Sequence, residues 1–202
     1  MMKAVIFLNG DKPSKDLIKK ITASLIICAD GAYEYLKDII TPTVVLGDFD
    51  SGNKPTNDNF EVIEYPVEKD YTDGHLCLSL AIERGATAVE IYGAFGGRVD
   101  HFYANLSLLY QAKKRGVECS LCDEKQSVFL KDGKFTIKTE KNKTISIEPF
   151  FKTAHIIKTE GLKWQMEGVT LNREHILGIS NVATSDEVIV ETSDEVLVTV
   201  EK

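Results

Sequence analysis

The chain has 202 residues, 43% of them hydrophobic and 27% charged, enough apolar material for one large domain or two small ones. Its formal net charge of -7 excludes the basic face of a sequence-independent nucleic-acid binder, so no nucleic-acid partner is expected. No segment approaches the ~20 apolar residues of a membrane helix, and residues 1–10 lack the apolar region of a secretory signal, so no membrane partner and a cytoplasmic location are expected.

Residues 3–8 are an apolar run ending in Asn9-Gly10, a strand followed by a turn. Ser14 can cap a helix with Leu17, Ile18 and Ile21 on its inner face. A second strand is expected over 24–28, then Asp30 as cap of a short helix carrying Tyr33 and Leu36. Third and fourth strands are expected over 43–46 and 60–64. Thr72 can cap a longer helix reaching Arg84, with Leu76/Leu80 and Cys77/Ala81 on shared faces. A fifth strand over 88–92 precedes a helix that starts at Asp100, buries Phe102, Leu106 and Leu109, and stops before Gly116. The sixth strand is 117–122. Strands that alternate with helices imply a mostly parallel sheet covered on both faces.

After Asp123 the pattern becomes all-β. Runs at 127–130 and 134–138 flank Lys131-Asp132-Gly133, which suggests a hairpin. Further strands are expected over 144–148, 153–159, 187–192 and 195–200, with valines at 188, 190, 196, 198 and 200 in period two. The expected organisation is an α/β catalytic, nucleotide-binding domain over 1–124 and a smaller antiparallel β-sandwich or barrel over 125–202. Cys119 and Cys122 form a lone CxxC without a second ligand pair for zinc, and buried strand thiols are the expected reading.

Four acidic clusters fall at or near the C-terminal ends of expected strands, where open α/β sheets bind ligands. They are Asp30-Gly31, Gly47-Asp48-Phe49-Asp50-Ser51, Lys69-Asp70-Tyr71-Thr72-Asp73, and the run from Gly93 through Gly96-Gly97-Arg98 to Asp100-His101. Any one of them alone reads as turn residues or helix caps. Four at one sheet edge point to a hard cation, since clustered carboxylates repel one another without one. Gly93, Gly96 and Gly97 let backbone N–H groups approach a phosphate, Arg98 can fork onto its oxygens, and the following helix offers its positive end. The spacing is neither GxxxxGK[ST] nor GxGxxG.

In order and spacing these segments resemble the thiamine pyrophosphokinase (thiamine diphosphokinase) family, together with Gly161-Leu162-Lys163-Trp164 and Ile179-Ser180-Asn181. The resemblance implies transfer of diphosphate from ATP to thiamine, giving AMP and thiamine diphosphate. It implies a homodimer, with thiamine held between the α/β domain of one subunit and the β domain of the other. It implies Mg2+ on Asp48, Asp50 and Asp73. Asp70, Arg98 and Asp100 would then serve catalysis, and Asp30, Lys69, Thr72, Gly96 and Gly97 would line the nucleotide. Trp164 would stack on thiamine, and Ser180 and Asn181 would hydrogen-bond its aminopyrimidine. The proton acceptor stays open between Asp100 and Asp70. The chain departs from the family pattern at Gly74, His75 and Val182-Ala183. Two rival readings are a metal-dependent nucleotidyl- or glycosyltransferase, and a catalytically silent thiamine- or nucleotide-binding regulator.

Overall fold

The computed structural model describes residues 2–50, 54–56, 59–66, 68 and 70–202. Two compact units divide the chain, Met1–Glu124 and Lys125–Lys202.

The first unit runs β1 (Lys3–Phe7), α1 (Lys15–Lys20), β2 (Leu25–Ala29), α2 (Asp30–Leu36), β3 (Val44–Gly47), β4 (Glu61–Glu64), α3 (Asp73–Glu83), β5 (Ala88–Tyr92), α4 (Val99–Lys114) and β6 (Glu118–Cys122). All six strands pair in parallel, in the order β4-β3-β2-β1-β5-β6. β1 is central, and its residues Ala4, Val5, Ile6 and Phe7 are fully buried, as expected of a strand covered on both faces. Side chains alternate across the pleat. Val5, Phe7, Cys28 and Val45 therefore share one face, packed with Ile18 of α1 and Ala32 and Leu36 of α2. α3 packs on β1, β2 and β3 and also against α4, while α4 packs on β6.

Two caps form as the sequence suggests. Ser14 Oγ accepts from Leu17 N at 3.2 Å and Thr72 Oγ1 from His75 N at 3.3 Å. Asp30 is not a cap. Ala29 holds that position without a side-chain bond, and Asp30 is the first helical residue. Cys28, Cys77, Cys119 and Cys122 form no disulfide, and burial raises the Cys119 thiol to about 12, which favours its protonated form. Among the described residues, no helix is long and apolar enough to cross a membrane.

The second unit contains β7 (Gln126–Lys138), β8 (Thr144–Pro149), β9 (Ala154–Glu160), β10 (Thr170–Leu171), β11 (Asn181–Val182) and β12 (Glu187–Glu201), and its strand pairs are antiparallel. The expected Asp132-Gly133 hairpin does not form. β7 and β12 are each one long strand, paired to each other from end to end. Their register shifts between Thr192 and Val196, where 193–195 stand opposite Asp132 alone. Gly133 takes φ +62° there, so the turn-forming dipeptide serves a bulge instead of a turn. The bulge lets β12 change partners, with 189–192 on β9 and 196–200 on β8. Val188, Val190, Val196, Val198 and Val200 all enter one core, with Ile145, Ile147, Ile156 and Leu171.

Candidate active site

β2 and β3 are neighbours and parallel, so their C-terminal ends lie side by side. Gly47 closes β3, and a Cβ there would fall 2.4 Å from Asp30 Cγ. The missing side chain is what lets the Asp30 carboxylate lean over the end of β3. Asp30 Oδ1 accepts from Gly31 N at 2.5 Å and Oδ2 from Phe49 N at 2.9 Å. Phe49 has φ +54°, a conformation that a bulky residue holds only when its surroundings enforce it. Its ring packs against the core cluster, while Asp48 is half-buried and Asp50 exposed. One ligand oxygen from each of Asp30, Asp48 and Asp50 lies within 4.8 Å of the others.

This group shares Asp48 and Asp50 with the triad implied by the resemblance. Asp30 joins Asp48 and Asp50, and Asp73 is not part of the group. Strand adjacency explains the place of Asp30, because parallel neighbours ~4.8 Å apart bring their outgoing loops together. Asp73 instead sits in the first turn of α3. Asp70 is exposed, and Thr72 uses its hydroxyl to cap α3. Lys69 and Ser51 lie outside the described residues.

The glycine-rich segment follows β5. Gly96 and Gly97 have φ +72° and +68°, open to glycine at no steric cost. A Cβ on Gly96 would fall 2.0 Å from Asp11 Oδ1, whereas Gly97 faces open space. This loop is bonded to the one leaving β1, through Leu8 N to Tyr92 O at 2.8 Å, Gly10 N to Gly93 O at 2.8 Å and Asp11 N to Phe95 O at 2.6 Å. Asn105 of α4 adds a bond from Nδ2 to Ala94 O at 2.9 Å. Asn105 does not stand out in the sequence, and the 9–11 loop shows there only as the Asn9-Gly10 turn after an apolar run. Arg98 donates two bonds to Asp100, Nε to Oδ1 at 3.1 Å and Nη2 to Oδ2 at 2.6 Å. The guanidinium holds Asp100 below the ordinary carboxylate range.

In the second unit, Trp164 is 54% exposed, with Lys163 Nζ 4.5 Å from its ring centroid. Asn181 is only 4% exposed. Its Oδ1 accepts from Trp164 N at 3.1 Å and Val182 N at 2.9 Å, and its Nδ2 donates to Trp164 O at 2.6 Å. The Asn181 amide thus clamps the tryptophan loop. Ser180 is exposed at φ +57°, and its N donates to Ser146 Oγ at 3.0 Å.

Residues 16–121 match the family model described as the thiamin pyrophosphokinase catalytic domain, and 134–197 match the one described as the thiamin pyrophosphokinase vitamin B1 binding domain. Thiamine pyrophosphokinase of Bacillus subtilis (strain 168) is 33% identical over 193 residues, 89% of each chain. Thiamin pyrophosphokinase 1 of Caenorhabditis elegans is 26% identical over 97% of this chain and 88% of its own. Among solved structures, thiamine pyrophosphokinase from Bacillus subtilis superposes with TM-score 0.84 at 25% identity, covering 99% of this chain and 98% of that one. The Candida albicans thiamin pyrophosphokinase, at 19% identity, superposes with TM-score 0.82 over 99% of this chain and 89% of its own, and so speaks to the fold. With both domain models matched in order along most of its length, the chain belongs to the thiamin pyrophosphokinase family.

Proposed function

We propose that this chain is a thiamine diphosphokinase, which transfers diphosphate from ATP to the hydroxyl of thiamine and releases AMP and thiamine diphosphate. The observation that carries the reading is the convergence of three carboxylates at the carboxyl edge of a parallel sheet, in a chain that also matches a vitamin B1 binding domain.

Asp30, Asp48 and Asp50 are the residues that would hold Mg2+, since an all-oxygen donor set suits a hard cation. When bound, the ion offsets phosphate charge and draws electron density from phosphorus. The chain's own groups do the aligning. Two backbone N–H groups fix Asp30 in place. Gly96 and Gly97 open the backbone to phosphate oxygens. Arg98 brings a planar fork already shaped for two oxygens, which its pairing with Asp100 displays. We assign Lys69 to the same phosphates. Asp100, kept ionised by Arg98, and the exposed Asp70 are the two candidates to accept the hydroxyl proton.

We assign thiamine to the second unit, with stacking on the exposed Trp164 ring and a polar contact from Ser180. The antiparallel strands that carry these residues are read as a small sandwich, supported by the change of partners along β12. A homodimer is the proposed assembly. Support comes from Ile176, Leu177 and Ile179, large apolar residues left exposed near Ser180. A cytoplasmic location is proposed on four cysteines that form no disulfide.

Incubation with ATP, Mg2+ and thiamine, followed by chromatography, tests the reading. AMP and thiamine diphosphate are expected in equal amounts. ADP with thiamine monophosphate, or no phosphorylated thiamine at all, would overturn it.

A further inference from the structure

The order of strands leaves the loop that follows β1 between the carboxylate cluster and the glycine-rich loop. β1 to β4 progress toward one edge of the sheet, while β5 and β6 lie on the other side of β1. The topological switch is therefore between β1 and β5, and open α/β sheets bind ligands in that crevice, beyond the strand ends. The carboxylates come from the ends of β2 and β3, and the glycine-rich loop from the end of β5. With neighbouring strands ~4.8 Å apart, the ends of β3 and β5 are separated by about 14 Å. A polyphosphate that reaches both must cross the end of β1. The second residue past that end is Asn9.

Asn9 is built into this position. The bonds Leu8 N to Tyr92 O and Gly10 N to Gly93 O, 2.8 Å each, fix the backbone on either side. The Tyr35 hydroxyl adds a bond to Leu8 O at 2.9 Å. The side chain is exposed, and its amide has no hydrogen-bond partner among the described residues. A Cβ on Gly31 would fall 2.6 Å from Asn9 Nδ2, so the amide lies directly against the residue that follows Asp30. An amide here donates to phosphate oxygens without a charge of its own, beside three carboxylates that need their cation.

We infer that Asn9 is a nucleotide-contact residue, its side-chain N–H groups donating to the polyphosphate of ATP between the Asp30, Asp48 and Asp50 cluster and the 93–97 loop. The inference rests on the diphosphotransfer reading and adds a residue that the motifs omit.

Wild type, Asn9→Ala and the nearly isosteric Asn9→Asp are compared in three ways: KM for ATP and for thiamine, calorimetric binding of a non-hydrolysable ATP analogue with Mg2+, and the thermal midpoint. Loss of one hydrogen bond to a charged group predicts about tenfold weaker nucleotide binding and higher KM for ATP in Asn9→Ala. Asn9→Asp replaces a donor with a fourth carboxylate, and about a hundredfold loss is expected. KM for thiamine and the thermal midpoint stay at wild-type values. Nucleotide affinity within about twofold of wild type in both variants would overturn the inference. So would equal weakening toward both substrates with a lowered midpoint, the signature of a packing role against Gly31. A wild type that binds the analogue but yields no AMP sinks the diphosphotransfer reading, while the binding comparison still decides the role of Asn9.

Discussion

Asp30 accepts two backbone N–H bonds and still brings its carboxylate to Asp48 and Asp50. Asn181 accepts two and donates one, and its amide is buried in doing so. The two units thus use motif side chains in opposite ways. In the first, the backbone holds the side chain and the side chain reaches a cluster of carboxylates. In the second, the side chain holds the backbone, and what faces outward is the Trp164 ring. A polar residue within a family motif is therefore not by itself a ligand contact; its burial and its remaining donors decide.

The contrast can be broken or sharpened by substitution. The largest effect is expected at the acidic rim. Asp48→Ala or Asp50→Ala should lower kcat about a thousandfold or more, the scale of several kcal/mol of metal-assisted charge stabilisation, with an unchanged thermal midpoint because Asp50 is exposed and Asp48 only partly buried. Steady-state kinetics with a melting curve checks this, and near-normal kcat in either variant would remove the cluster from the mechanism. Asn181→Ala should behave in the opposite way. It strands Trp164 N and O, so unfolding free energy should fall by about 1–3 kcal/mol, with KM for thiamine raised as the loop loosens. An Asn181→Ala enzyme with full stability and only weaker thiamine binding would make Asn181 a direct contact and erase the contrast.

A smaller effect is expected from Trp164→Ala. Loss of a stacking face worth ~0.5–2 kcal/mol should raise KM for thiamine about 2- to 30-fold and leave KM for ATP unchanged. Equal changes in both constants would count against stacking. The smallest effect concerns pH. His75 stacks on Tyr71 with ring centroids 4.4 Å apart. Burial, then the nearby Arg115 charge, lower its pKa below the ordinary 6.5, and a bond with Gln111 opposes them. In the interval between folded and unfolded pKa the unfolded chain binds more protons, so stability is complete above the unfolded value and declines as pH falls through the folded one. Urea midpoints from about pH 7.5 to about pH 5.5 should fall more for wild type than for His75→Gln. Parallel declines would remove His75 from the pH response.

Much of this was legible from sequence because the signals are local. Ser14 and Thr72 cap the helices that their positions suggest, as a hydroxyl three residues before a free N–H is a short-range matter. The misreadings share one origin. Lys131-Asp132-Gly133 carries the chemistry of a hairpin turn, yet β12 runs alongside both halves of β7, and a bulge satisfies the same glycine. Asp30 looks like a helix cap, but Gly47 on the neighbouring strand leaves room for its carboxylate to join the cluster. Asn181 shows in the sequence only as a polar motif residue, and its burial against the Trp164 loop comes from the fold. Asn9 shows in the sequence only as half of a turn, because its neighbours in the fold come from other parts of the chain.

The sequence by itself determined the alternation of strands and helices in the first unit, the all-β character of the second, and the acidic and glycine-rich segments that point to phosphate chemistry. Each depends on side-chain periodicity or on residues a few positions apart. Only the tertiary structure decided which carboxylates converge, which amide is buried as a clamp, and which loop lies in the crevice. Those outcomes depend on strand order and register, which are set by burying the whole sheet at once and are written in no single stretch of the chain.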